Sequence, residues 1–95
     1  MSESLISLQQ IEAARAHVVK ETTFRQLAFE INYFDSGAYI IDIDLSSDTL
    51  VVQLTDHYLG LSLLGDNLSF TTLPDFSYFT LADFRSVFDE MISKP

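Results

Sequence analysis

Two neighbouring segments, residues 27–33 and 39–45, alternate between apolar and polar side chains, and this alternation constrains the fold more than any other feature. The apolar sets are Leu27, Phe29, Ile31 and Tyr33, then Tyr39, Ile41, Ile43 and Leu45. Because successive side chains of a β-strand point to opposite faces, both segments are predicted to be strands buried on one face. Matching the two apolar sets in an antiparallel pair requires 33 opposite 39 and 31 opposite 41. Residues 35–37 then form a three-residue loop that ends at Gly37.

The same facing rule predicts a five-strand antiparallel meander. A third strand holds Leu50, Val52 and Leu54, in phase with Leu45, Ile43 and Ile41. A fourth strand holds Leu59, Leu61 and Leu63, and a fifth holds Leu68, Phe70 and Thr72. The alternative is that residues 49–64 form one long strand, with a bulge near Asp56 that absorbs the change of phase.

Helix-start signals lie near both ends of the chain. Ser7 with Gln10 forms a capping-box pattern, and Ile6 with Ile11 forms a hydrophobic staple, so residues 8–20 are predicted to be helical. The face of this helix toward the core is predicted to contain Leu8, Ile11, Ala14 and Val18, with Glu12 and Arg15 paired on the opposite side.

The second helix is predicted to begin after Thr80, which acts as its N-cap with Asp83 at the third position and Phe79 stapled onto Phe84. Its apolar stripe consists of Leu81, Phe84, Val87, Phe88, Met91 and Ile92.

The widths of the two layers determine how they stack. Five strands make a sheet about 24 Å wide, whereas two helices side by side cover about 20 Å. Two helices can therefore cover only one face of the sheet. The predicted fold is a single α+β domain over residues 1–95, a two-layer sandwich of an antiparallel meander with an N-terminal and a C-terminal helix on one face. We call the other face of the sheet the open face.

Charge and composition exclude several classes of function. The chain of 95 residues has 14 Asp and Glu against 5 Lys and Arg, a net charge of -9, and a pI near 4.2. Nucleic-acid backbones and anionic membranes would repel such a chain, and a basic protein would be attracted. It contains no cysteine, which fits a reducing compartment. No apolar run is long enough for a membrane span and no basic signal-like segment appears, so a cytoplasmic location is expected.

The predicted register gathers carboxylates on the open face. Glu30 lies opposite Asp42, with Asp44 two residues further along, and we call these three residues the acidic cluster. Like charges directly opposed across strands destabilise a sheet, so the cluster indicates either a docking surface for a basic partner or a solvated face. The predicted partner-binding residues are Glu30, Ile40, Asp42, Asp44 and Gln53 on the open face, with Asp75 and an exposed Tyr78 in the loop before the second helix.

No catalytic, cofactor or metal motif accompanies this surface. Residues 42–53 resemble a calcium loop, but Ser47 replaces the required glycine and Gln53 replaces the bidentate glutamate. Asp56 and His57 form an isolated acid–histidine doublet without a nucleophile motif. The sequence therefore predicts no enzyme, no cofactor and no metal site, and a partner that is a basic protein rather than nucleic acid or membrane.

In its length, acidity, lack of cysteine and α+β make-up, the chain resembles the small acidic immunity proteins that protect bacteria from their own nuclease toxins. The resemblance implies an inhibitor that neutralises a basic toxin through its acidic sheet face, as a monomer or a homodimer. The alternative is a structural or adaptor protein that self-associates or joins an assembly through its open face or an edge strand.

Overall fold

The computed structural model describes residues 6–45, 48–64 and 76–93. Two helices and five strands follow one another along the chain. They are α1 (Leu8–Phe24), β1 (Phe29–Tyr33), β2 (Tyr39–Asp44), β3 (Thr49–Leu54), β4 (Leu59–Leu64), β5 (Phe76–Tyr78) and α2 (Leu81–Ser93). The strands form one sheet in the order β1-β2-β3-β4-β5, and every neighbouring pair is antiparallel. The predicted α+β class and five-strand meander are confirmed.

The first hairpin has the predicted register. Ile31 lies opposite Ile41 and Tyr33 opposite Tyr39. The backbone N–H of Gly37 donates to the carbonyl of Phe34, and Gly37 has a positive φ of 93°. A side chain is strained in this left-handed conformation, which explains why glycine ends the loop.

The second hairpin is displaced by two residues from the prediction. Leu50 lies opposite Ile43 rather than Leu45, because β2 already ends at Asp44 and the Leu45 N–H bonds the carbonyl of Asp48 in the turn. A shift of two residues keeps every side chain on its predicted face.

The third hairpin turns at residues 55–58. Its register places Leu54 opposite Leu59, and the Thr55 N–H donates to the Tyr58 carbonyl. The alternative of one bulged strand over residues 49–64 is therefore wrong.

The last strand is not where the sequence placed it. β5 comprises Phe76–Tyr78 and pairs with β4 through Leu61 opposite Phe76, whereas these residues were predicted to be a connecting loop. The predicted fifth strand around Leu68 and Phe70 lies outside the described residues.

Both helices begin at the predicted caps. The Ser7 hydroxyl accepts from the Gln10 N–H, and the Gln10 side chain accepts from the Ser7 N–H, which is the reciprocal capping box. At α2 the Thr80 hydroxyl accepts from the Asp83 N–H. Helix α1 continues to Phe24, four residues beyond its predicted end.

The core lies between the helices and one face of the sheet. Its buried sheet residues are Ile41, Ile43, Leu50, Val52, Leu54, Leu59 and Leu61, and its buried helix residues include Ile11, Ala14, Val18, Phe84, Phe88 and Ile92. The stripe predicted for α2 is confirmed, since Leu81, Val87 and Met91 also pack against this core. Leu8 was predicted to be a core residue of α1 and is instead exposed.

The helices pack against each other and leave β1 uncovered. His17 Nε2 lies 2.6 Å from Asp89 Oδ1 across the two helices, and the Tyr39 hydroxyl donates to Glu12 at 2.9 Å, which ties α1 to β2. Every residue of β1 is exposed. The sheet is wider than its helical cover, and helix-side residues are exposed at both ends of the sheet, along β1 and at Phe76 of β5.

Candidate protein-binding face

The open face is made of rows of side chains that run across the strands. One row places Glu30 opposite Asp42, Asp42 opposite Val51, and Val51 opposite Ser62. The next row runs from Asn32 through Ile40, Gln53 and Gly60 to Ser77. Asp44 lies two residues from Asp42 on the same strand and therefore on the same face. The structure thus brings the whole acidic cluster together on the face that the helices leave bare.

Asp42 is the member of the acidic cluster whose ionised carboxylate is disfavoured by its surroundings. Its side chain is half-buried, between Glu30 on β1 and Val51 on β3. Burial raises the pKa of its carboxyl above the ordinary value, and the neighbouring charge of Glu30 raises that pKa further. Within the described residues, no lysine, arginine or histidine pairs with Asp42 or Glu30. The ionised cluster therefore opposes folding mildly and would gain from an added cation.

Asp44 and Ile40 border this pair. Asp44 is exposed, and its backbone N–H donates to the carbonyl of Ala28. Ile40 is half-buried, with Asn32 on one side and Gln53 on the other. An apolar side chain beside a group of carboxylates is a composition that protein interfaces share.

Gln53 does not offer the accessible amide that the sequence predicted. It is only 8% exposed, and its Oε1 accepts a hydrogen bond from the Tyr58 hydroxyl at 3.0 Å. Gly60 lies directly across from Gln53 and has no side chain, so the Tyr58 side chain can reach over it. Gln53 is thus a buried structural residue, and Tyr58 is the aromatic residue of the open face that sequence reasoning missed. Its spacing of two residues from Gly60 was the available signal.

The loop before α2 also departs from prediction. Tyr78 is half-buried and packs against the core from β5, so the prediction that it is an exposed anchor is wrong. The exposed aromatic residues of this segment are its neighbours Phe76 and Phe79. Tyr78 lies opposite the buried Leu59 of β4 and packs against the core beside it. Asp75 lies outside the described residues.

Basic residues are absent from the part of the sequence that forms the sheet. Every lysine and arginine lies outside residues 26–80, which hold more than half of the 14 acidic residues. In the helical layer, Arg15 pairs with Glu12 at 2.9 Å and Arg25 approaches Glu21 at 4.0 Å. The sheet has no such compensation from its own sequence, so the negative potential of the molecule is concentrated on the sheet side.

Two further properties bear on the class of site. The described parts of the chain contain no group of three or more His, Cys, Asp or Glu arranged to hold a metal ion. Among the same residues, neither helix is long and apolar enough to cross a bilayer.

Comparisons with protein-family models, with curated proteins and with solved structures gave no match to this chain. The function is therefore inferred from the geometry and charge of the open face.

Proposed function

We propose that the chain is a small protein-binding module whose acidic cluster holds a basic protein, and that it acts as an inhibitor or immunity protein against a nuclease-type toxin in the bacterial cytoplasm. The observation that carries the proposal is the pair Glu30–Asp42. Two opposed carboxylates, one of them half-buried with a raised pKa, lie on the face that the helices leave bare, and no basic side chain pairs with them in the part of the chain that the structure describes.

A lysine or arginine from a partner would relieve this repulsion. An ordinary surface ion pair contributes little, because both charges are well solvated before they meet. Asp42 is already partly desolvated and repelled by Glu30, so part of the desolvation penalty is present in the free protein. The gain on binding is correspondingly larger than for an isolated exposed carboxylate.

The charge distribution also favours inhibition of a nucleic-acid-processing enzyme. Negative potential on one side of the molecule steers a cationic protein toward the open face and raises the association rate. Carboxylates on a rigid sheet can then occupy lysines and arginines that the partner would otherwise present to phosphates. Binding at these groups would block substrate access without any chemistry by the inhibitor.

The test is to express the tagged chain in its source cell and to recover the proteins that bind it. Binding is then repeated with two charge-reversal variants. The test variant carries Asp42→Lys and Asp44→Lys. The matched control carries Asp83→Lys and Glu90→Lys, an equal change of charge at two exposed positions of α2. Circular dichroism of both variants establishes that they are folded.

The proposal predicts a basic partner whose complex weakens as salt is raised. The test variant loses that partner and the α2 control retains it. If the partner is a nuclease, the wild-type chain inhibits it at equal molar ratio and the test variant does not. A partner that is not basic, or undiminished binding by the test variant, contradicts the acidic-face proposal. Binding without inhibition contradicts the inhibitor role alone.

The adaptor alternative has one observation in its favour, which is that all five residues of β1 are exposed. That edge is structurally distinct from the open face.

A further inference from the structure

We propose that two copies of this chain associate through β1, which pairs antiparallel with β1 of the second copy about a two-fold axis at Ile31. The two sheets would become one continuous sheet. This inference goes beyond the proposed function and uses the edge of the sheet rather than its open face. Either proposal can therefore fail without the other.

The edge at β1 is long, apolar and uncovered. Phe29, Ile31 and Tyr33 belong to the helix-side face of the sheet but lie beyond the helices, and they are 36%, 37% and 64% exposed. Natural edge strands are usually protected against pairing by lysine, proline, a bulge or a covering segment. β1 has the sequence FEINY, which contains neither lysine nor proline, and all five of its residues pair with β2 in unbroken register.

Two hydrogen bonds at the ends of the first hairpin establish which backbone groups point outward. The Asp44 N–H donates to the Ala28 carbonyl, and the Phe34 N–H donates to the Ala38 carbonyl. Hydrogen-bonded pairs alternate with non-bonded pairs in an antiparallel ladder. In the register of this hairpin, Glu30 and Asn32 therefore bond β2.

The residues between them have the opposite orientation. The N–H and C=O groups of Phe29, Ile31 and Tyr33 point away from β2 toward the open edge. The three residues with exposed apolar side chains are thus the same three whose backbone donors and acceptors have no partner strand among residues 6–45, 48–64 and 76–93. A second strand paired at this edge would supply the backbone hydrogen bonds and would also bury the apolar side chains.

Only one symmetric register uses all three residues. With the two-fold axis at Ile31, Ile31 faces its own copy and Phe29 faces Tyr33, which gives about six backbone hydrogen bonds. Glu30 then faces Asn32 of the second copy. A register shifted so that Phe29 faces Ile31 has fewer bonds and places Glu30 directly opposite Glu30, which is unfavourable. The strand is therefore self-complementary in both hydrogen bonding and charge about Ile31.

Side-chain packing supports the same register. Tyr33 is already held against Tyr39, with ring centroids 4.9 Å apart, so little of its side-chain freedom remains to be lost on association. In the dimer its ring would lie across from Phe29 of the second copy. Aromatic pairs directly opposed across strands are among the favourable cross-strand contacts.

Added salt should have opposite effects on this dimer and on a complex with a basic partner. Each copy carries a net charge of -9, and the dimer would join two acidic faces side by side. Added salt screens this repulsion, so it should strengthen the dimer, whereas it should weaken a complex with a basic protein.

The experiment is sedimentation equilibrium of the isolated full chain from about 1 µM to about 500 µM, at about 50 mM and about 500 mM NaCl. The expected result is a reversible monomer–dimer equilibrium that shifts toward dimer at the higher salt concentration. A chain that stays monomeric over the whole range overturns the proposal and leaves this edge for a strand of a different protein. Assembly beyond the dimer also overturns it, because the pairing about Ile31 is closed.

Two pairs of variants test whether β1 forms the dimer interface and whether the two strands pair about Ile31. Ile31→Lys should weaken the dimer about 10-fold or more, since it brings two ammonium groups together at the axis. Phe79→Lys makes the same chemical change at an exposed position beyond β5 and should leave the dimer intact. Asn32→Lys should tighten the dimer about 2- to 30-fold through two new pairs with Glu30, and Ser77→Lys is its control for net charge.

Equal effects of Ile31→Lys and Phe79→Lys would refute the assignment to β1. Equal effects of Asn32→Lys and Ser77→Lys would refute the register about Ile31. Circular dichroism of each variant establishes that a lost dimer is not a lost fold.

Discussion

Replacement of Asp42 by asparagine should stabilise the protein at neutral pH, although the residue lies in the predicted binding face. Asparagine has nearly the same shape as aspartate and removes the charge that faces Glu30 on the neighbouring strand. Directly opposed like charges destabilise a sheet by about 0.2–1 kcal/mol. We expect Asp42→Asn to raise the free energy of unfolding by about this amount, which corresponds to about 1–8 °C in Tm for a chain of this size.

The stability gained by Asp42→Asn should be present at neutral pH and should disappear as the pH is lowered. The pKa of Asp42 is higher in the folded chain than its ordinary value, so the folded state binds the proton more tightly than the unfolded state. The free energy of unfolding of the wild type therefore falls as pH rises through the interval between the ordinary and the raised pKa. At neutral pH the penalty is fully present, and at a pH below the ordinary value it is absent. The advantage of Asp42→Asn should disappear over the same interval.

Urea denaturation followed by circular dichroism measures both effects. Asp35→Asn is the control, because it removes one charge from the exposed loop between β1 and β2 without removing a charge from the acidic cluster. Glu30→Gln should also stabilise the protein, and its effect should shrink in the Asp42→Asn background because the repulsion has already been removed. An Asp42→Asn variant no more stable than wild type at pH 7, or a gain that persists at low pH, would refute the electrostatic account of the cluster.

Three further substitutions test the scaffold by chemical denaturation. Gly37→Ala should lower the free energy of unfolding by about 1 kcal/mol or more, because φ at this position is +93°; an unchanged stability would contradict the left-handed loop. Thr22→Val should raise it by about 1 kcal/mol, since the buried Thr22 hydroxyl has no hydrogen-bond partner within the described structure, and a loss would indicate a missing partner. Tyr58→Phe should lower it by about 1–3 kcal/mol by leaving Gln53 Oε1 buried without its donor, and a neutral effect would show that this bond does not hold the side chain.

Much of the fold could be predicted because one rule, alternation along a strand, acts on every strand. The pairing of Glu30 with Asp42 follows from the apolar residues around them, since a slip of one residue would expose the whole core face. A slip of two residues has no such penalty. For this reason the register between β2 and β3 was predicted incorrectly, although the faces of both strands were assigned correctly.

The properties of the site that were mispredicted depend on contacts between side chains of neighbouring strands and turns. Gln53 has the polarity of an exposed residue, but it is buried and accepts a hydrogen bond from the Tyr58 hydroxyl. Tyr78 lies in a segment with the composition of a loop, and only its pairing with Leu59 of β4 turns it toward the core. These contacts join neighbouring strands and turns, and the alternation of apolar and polar residues does not specify them.

The exposure of the β1 edge could be predicted from the sequence only in part. The two layer widths already showed that two helices cannot span five strands. Which strand would be left bare depends on where α1 crosses the sheet. The Tyr39 hydroxyl donates to Glu12 of α1, so the helical layer reaches as far as β2, whereas Ile31 on β1 remains exposed.

The most direct test of the acidic-face account is a carbon-13 NMR titration of the side-chain carboxyl groups with and without an oligo-arginine peptide. The account predicts that the largest changes occur at Glu30, Asp42 and Asp44, and that the pKa of Asp42 falls when the peptide binds. Changes concentrated on the α2 carboxylates Asp83 and Glu90, or a pKa of Asp42 that does not fall, would contradict it.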